Sequence, residues 1–221
     1  MFRGVAGSVE RSLQARMAKT TDIRVMFVRT GETEWQRAGR IAGSTDVPIT
    51  PAGWEQVRKG IQDLSGVRLN TVFCGPDETS QAVALELAKV TGGKVKVIDD
   101  FAEVHLGLWE GMLESELEEK CPRAYRQWAD DPAAVQVPEG EGFEDAQARL
   151  MKALTRNLER AKGDTGGVGV VLRPVALGLV ACSLSGIATS RLWSMIESGP
   201  AFEWRTISRG NPVRSKAAAE A

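Results

Sequence analysis

The sequence predicts an α/β fold: a three-layer α/β/α sandwich around a mostly parallel central sheet. Three observations carry this. Short apolar, β-branched runs such as Ile23–Val28 and Gly169–Leu172 read as buried strands. Amphipathic stretches at helical spacing lie between them, the longest from Phe143 to Ala161. The two types alternate along the chain, and that alternation favours parallel strands joined by crossover helices.

Each element has its own local reason. Ile23 to Val28 is apolar and too short for a helix. Thr50 is an N-cap with Pro51 in the first helical position, and Trp54, Val57, Ile61 and Leu64 fall on one face of the helix that follows. Asn70 to Cys74 reads as a short strand. A helix around Ser80 to Val90 ends at Gly92-Gly93, and Lys94 to Ile98 is a further strand. Phe143, Ala146, Leu150, Leu154, Leu158 and Ala161 mark the apolar stripe of a long helix ended by Gly163. Gly169 to Leu172 is a central strand, and a helix follows Pro174. Arg191 to Ile196 and Phe202 to Ile207 read as strands that close the sheet.

The chain has 221 residues, 43% of them hydrophobic, enough for a sizeable core. There are 28 basic and 29 acidic residues, a formal charge of −1, so no global field draws the protein to nucleic acid. No apolar run approaches a membrane span or a secretory signal, so no integral membrane segment is expected. Cys74, Cys121 and Cys182 are odd in number and scattered, which suits neither a disulfide framework nor a zinc site and fits a reducing, cytoplasmic setting. One main domain is expected over residues 23–208, followed by a disordered tail over 209–221. Residues 1–22 carry Phe2, Val5, Ala6, Val9, Leu13 and Met17 at helical spacing with Arg3, Arg11, Arg16 and Lys19 among them. They read either as an amphipathic arm that docks on a partner, a second copy or an anionic surface, or as a frayed extension or a stretch ahead of a start at Met17.

Four motifs bear on function. Arg29-Thr30-Gly31-Glu32-Thr33 follows the first strand. Gly39-Arg40-Ile41-Ala42-Gly43-Ser44-Thr45-Asp46-Val47-Pro48 follows that. Further on come Glu103-Val104-His105-Leu106-Gly107-Leu108-Trp109-Glu110-Gly111, and then Pro138-Glu139-Gly140-Glu141-Gly142 with Asp145 and Arg149. In this order and spacing they resemble the histidine phosphatase (phosphoglycerate mutase-like) superfamily. The resemblance implies that fold, and a phosphoryl-transfer pocket with a histidine nucleophile after the first strand, a second histidine after the central strand, two arginine clamps and a glutamate acid. Arg29 stands as the first clamp and Glu103 as the acid. Thr30 occupies the nucleophile's place, Thr79 that of the second clamp, and Arg173 that of the second histidine, with Pro174 replacing the following glycine. Glu32, Thr33, Arg40 and Trp109 match positions that shape the pocket's rim and floor.

These replacements are not conservative. Threonine needs an adjacent base to act as a nucleophile, and a guanidinium cannot be that base. The sequence therefore predicts a catalytically inactive member, a pseudophosphatase, with no catalytic residues and a vestigial site at Arg29, Thr30, Thr79, Glu103 and Arg173. Arg29, Thr30, Glu103 and Arg173 are the expected ligand-binding set for a small phosphate- or carboxylate-bearing ligand, with no metal and no cofactor. Arg173 has two readings: an internal salt bridge to Glu103, or an anion grip shared with Arg29. The sole histidine, His105, reads as a structural residue beside the loop, and Cys74 as an ordinary thiol. Two other readings stay open: a low-activity phosphomonoester hydrolase with a non-standard nucleophile, and an assembly role through the N-terminal arm as a protein partner or homo-oligomer contact.

Overall fold

The computed structural model describes residues 22–161 and 166–208, and the backbone of 215–217. Residues 1–21, and with them nearly all of the expected arm, lie outside the described residues, as do Gly163 and 209–214 and 218–221 of the expected tail.

Among the described residues the sheet has six strands: β1 (Asp22–Arg29), β2 (Leu69–Cys74), β3 (Lys94–Val97), β4 (Gly167–Leu172), β5 (Phe202–Ser208) and β6 (Ser215–Ala217). Their order is β3-β2-β4-β1-β5-β6. The β3, β2, β4 and β1 strands are parallel neighbours, β5 runs antiparallel to β1, and β6 runs antiparallel to β5. The sheet is thus mostly parallel, as the alternation requires. β4 is buried at every position, as expected for a central strand covered on both faces.

The helices are α1 (Glu34–Arg37), α2 (Pro51–Gln62), α3 (Glu78–Thr91), α4 (Glu114–Lys120), α5 (Pro122–Asp130), α6 (Phe143–Arg160), α7 (Pro174–Ser185) and α8 (Leu192–Ser198). Period-two alternation along β1 divides the core. Val25 and Phe27 pack with α6 and α7 residues such as Leu150, Leu154 and Leu179. Met26 and Val28 pack with Val57 and Ile61 of α2 and Val83 and Leu87 of α3. Helices therefore cover both faces of the sheet, giving three layers.

Caps and stripes form where the residue types demand. Thr50 Oγ1 accepts from Gly53 N at 2.9 Å, and Asp77 Oδ1 accepts from Ser80 N at 2.8 Å, starting α2 and α3. The expected stripe of α6 is buried from Phe143 through Leu158 and on to Ala161.

Two expectations are corrected. Arg191 to Ile196 is not a strand: Thr189–Arg191 form a 3₁₀ turn and Leu192 starts α8. The reason is packing on α7, where an added Cβ at Gly178 would lie 2.6 Å from Ile196 and 2.7 Å from Leu192. Only glycine lets α8 come this close, and a short apolar run alone does not distinguish strand from helix. Within the expected tail, Ser215–Ala217 form β6 by pairing with Arg205–Ile207 of β5, which the polar composition of that stretch did not suggest.

Candidate functional site

Parallel strands point their carboxyl ends to one side of the sheet, and ligand crevices form there. β1 ends at Arg29, β2 at Cys74, and β4 at Leu172, one residue before Arg173. Thr30 N donates to Leu172 O at 3.0 Å, which fixes the start of the β1 loop against the end of β4. Gly31 is required by close approach: a Cβ there would lie 2.6 Å from Gly53 O at the start of α2.

The strand ends open into two adjoining clefts. One, of about 270 Å³, is lined by Arg29, Thr30, Glu32, Gln36, Gln56 and Pro174, among others. The second, of about 130 Å³, is lined by Gln36, Arg40, Glu103, Trp128, Arg173, Pro174 and Trp193, among others. Gln36 and Pro174 belong to both, so the clefts meet across them. The five residues expected to form one site are thus divided: Arg29 and Thr30 line the first cleft, Glu103 and Arg173 the second.

Thr79 lines neither. It faces a groove between α2 and α3 with Asp46, Trp54 and Glu78. Its hydroxyl donates to Val47 O at 3.0 Å and lies 3.2 Å from Asp46 Oδ1. Thr79 therefore ties α3 to the Ser44–Asp46 loop.

Arg29 is half-buried and donates to Ile196 O at 2.6 Å; burial lowers its pKa from the usual arginine value, though a guanidinium keeps its proton. The Thr30 hydroxyl is buried at 4% exposure and has no hydrogen-bond partner among the described residues, so no base is bonded to it.

Glu103 is 5% exposed and serves the start of α7. Its Oε1 accepts from Val104 N at 2.8 Å and Ala176 N at 2.7 Å, and its Oε2 accepts from Val175 N at 2.9 Å. The amides of Val175 and Ala176 are orphans of the first turn of α7, and Arg173 at the N-cap provides no side-chain cap. Desolvation raises the pKa of Glu103; the Arg173 charge and the three amides oppose the shift without cancelling it. The loop carrying Glu103 is held by Arg149 of α6, which donates to Asp100 O, to Ala102 O and to both carboxylate oxygens of Glu141.

The expected salt bridge between Arg173 and Glu103 does not form. Arg173 Nη1 donates instead to Thr45 O at 2.9 Å, and among the described residues the guanidinium makes no close carboxylate ion pair, though its charge still acts on Glu103. The reason is geometric: both oxygens of Glu103 are directed to the amides of its own loop and of α7.

His105 stands away from both clefts, with its side chain 55% exposed. Its Nδ1 lies 2.9 Å from Ser44 Oγ and 3.1 Å from Glu110 Oε1. Glu110 is a hub that sequence reasoning missed. It accepts from Ser44 N, Thr45 N, Leu106 N and the hydroxyls of Ser44 and Thr45. Burial alone would raise its pKa, but these donors, Thr45 foremost, bring it down to about 2. The signal was the coincidence of hydroxyls at positions 44 and 45 with an acid in the later loop, which only the tertiary fold brings together.

Cys74 is fully buried, and burial, with Asp77 next, pushes its thiol up to about 12, so it is unreactive at neutral pH. Among the described residues there is no cluster of three or more His, Cys, Asp or Glu that could hold a metal ion, and no helix is long and apolar enough to cross a membrane.

Comparison with known proteins agrees with this fold. Residues 25–208 match the histidine phosphatase superfamily (branch 1), and the chain belongs to that superfamily. It is 30% identical over 172 residues to Phosphoserine phosphatase 1 of Hydrogenobacter thermophilus, covering 78% of this chain and 81% of that protein. It is also 30% identical over 168 residues to a metal-independent phosphoserine phosphatase of Arabidopsis thaliana, covering 73% and 71% respectively. Among solved structures, Bacillus stearothermophilus YhfR superposes with a TM-score of 0.77 at 22% identity, covering 90% of this chain and 96% of that one, a likeness of fold.

Proposed function

We propose that this chain is a histidine-phosphatase-fold binding module that holds a phosphate- or carboxylate-bearing ligand at Arg29 and Thr30 and does not turn over phosphomonoesters. One observation carries the reading: no imidazole faces either cleft. The positions after β1 and β4 hold Thr30 and Arg173, and His105 lies outside both clefts, engaged with Ser44 and Glu110. Phosphoryl transfer through a covalent intermediate needs a nucleophile in line with phosphorus, and losing it costs on the order of 10⁴–10⁶ in rate, roughly 5–8 kcal/mol. Arg29 and the unpartnered Thr30 hydroxyl retain donors for an oxyanion. Activity on a generic aryl phosphate is expected at background.

The names of the two relatives favour a second reading, a slow phosphomonoester hydrolase that uses Thr30 or a bound water. A burst of product that disappears in Thr30→Ala would establish it and overturn the first. The assembly reading rests on the segment outside the described residues and has no structural observation behind it.

A further inference from the structure

The groove between α2 and α3 has a volume of about 290 Å³, larger than either cleft, and shares no lining residue with them. Pro48, Ile49, Trp54 and Ala82 make its walls apolar, and Asp46 and Glu78 add two carboxylates. Leu85, seven residues beyond Glu78 and so on the same side of α3, extends the apolar line and is 53% exposed. Asp46 accepts from Glu78 N at 2.6 Å, but neither Asp46 nor Glu78 pairs with a cation among the described residues. The nearby Arg58 is engaged over the Trp54 ring, 5.2 Å from its centroid. An apolar groove with unpaired acids at one end suits an apolar segment that carries positive charge.

Such a segment precedes the domain. Residues 1–21 carry Phe2, Val5, Val9 and Leu13 at helical spacing, and Arg3, Arg11, Arg16 and Lys19 stand against a single acid, Glu10. We infer that this segment docks in the α2–α3 groove of its own chain, with its apolar stripe on Ile49, Trp54 and Ala82 and with Arg3 against Asp46 and Glu78. Its reach agrees. The segment joins the sheet at Asp22, the amino end of β1, and α2 and α3 cover the face of β1 that presents Met26 and Val28. The groove lies toward the other end of the strands, where α3 begins beyond β2. β1 spans roughly 25 Å, and a helix from Arg3 to Asp22 would span about 28 Å. Arg3 therefore arrives beside the two acids while the following apolar residues pass along the groove. A docked state favoured about threefold adds only about 2 °C to the melting temperature, so contact and not melting is its measure.

The test is photo-crosslinking of the full chain carrying Phe2→benzoylphenylalanine, at low micromolar concentration, with the products mapped by mass spectrometry. Links should form within one chain and fall in residues 46–54 and 78–85. Arg3→Glu and Glu78→Arg each replace an attraction by a repulsion, so each should lower the yield at these segments about twofold or more. The two together should restore it, which a merely disturbed fold would not do; Glu78→Gln, which removes the attraction alone, serves should Glu78→Arg fail to fold. Links confined to pairs of chains would give the groove to a second copy and overturn docking within one chain. Links scattered over other segments, no links at all, or a groove yield that ignores both charges would equally overturn the inference.

Discussion

Thr30 shows how far a single side chain decides chemistry in this pocket. Its hydroxyl is buried, close to Arg29, and has no base to take its proton. Thr30→His should nevertheless leave aryl phosphate turnover at background. Thr79 is committed to Asp46 and Val47, and Arg173 to Thr45, so on the proposed reading neither is free to assist a new histidine. Groups that act as a unit are restored together or not at all, and robust turnover by the single variant would show that the surviving residues suffice. Glu110 makes a second residue-scale prediction. Its pKa falls from 4.5 to about 2 in the folded protein, so its contribution is fully present above pH 4.5 and is lost as pH falls toward 2. Discounted for solvent screening of a partly exposed group, that contribution is on the order of 2 kcal/mol. Acid titration of the melting temperature should therefore be shallower in Glu110→Gln than in wild type between pH 5 and pH 2.5, a range that covers most of that window; parallel curves would mean that other carboxylates dominate. None of this was legible locally. The residues at positions 30, 79 and 173 can be read in sequence, but the partners of Thr79 and Arg173 lie 32 to 128 residues away.

At the scale of elements, α7 depends on a residue outside itself. Pro174 has no N–H, Arg173 offers no side-chain cap, and the next two amides are taken by Glu103. Glu103→Ala should therefore cost about 2–4 kcal/mol in urea denaturation, because it strands buried donors at the start of a core helix. Glu103→Gln keeps an acceptor and removes a carboxylate whose ionisation burial disfavours, so its loss should be smaller. Equal losses would place the importance of Glu103 in its charge and not in capping. Elements with internal logic were legible: Thr50 and Pro51 announce α2, and the stripe from Phe143 announces α6. The segment after Arg191 was not, since Leu192 and Ile196 acquire their helical meaning only against Gly178. The aromatic group of Trp109, Trp128, Phe143 and Trp193 is of the same kind, joining four separated segments through ring contacts of 4.6 to 6.2 Å between centroids.

For the whole molecule, alternation and burial gave the layered class, but strand order is a property of crossovers that local patterns do not encode. β4, late in the chain, enters between β2 and β1. The role of β6 was hidden too, because a three-residue pairing leaves almost no periodic signal. That pairing makes a prediction at this scale. Both core clusters are assembled from residues between Ile23 and Ile207, so a chain trimmed to 22–217 should melt within about 2 °C of the full chain, less than the shift of a single 1 kcal/mol change. Trimming to 22–208 removes β6 and bares the outer edge of β5 at Arg205–Ile207. An unpaired strand edge is a template for another chain. The shorter fragment should keep its circular dichroism spectrum yet associate with rising concentration in sedimentation velocity. A strictly monomeric fragment would mean that β6 contributes nothing to guarding the edge, and a sharp loss of stability in 22–217 would assign residues 1–21 a part in holding the domain together.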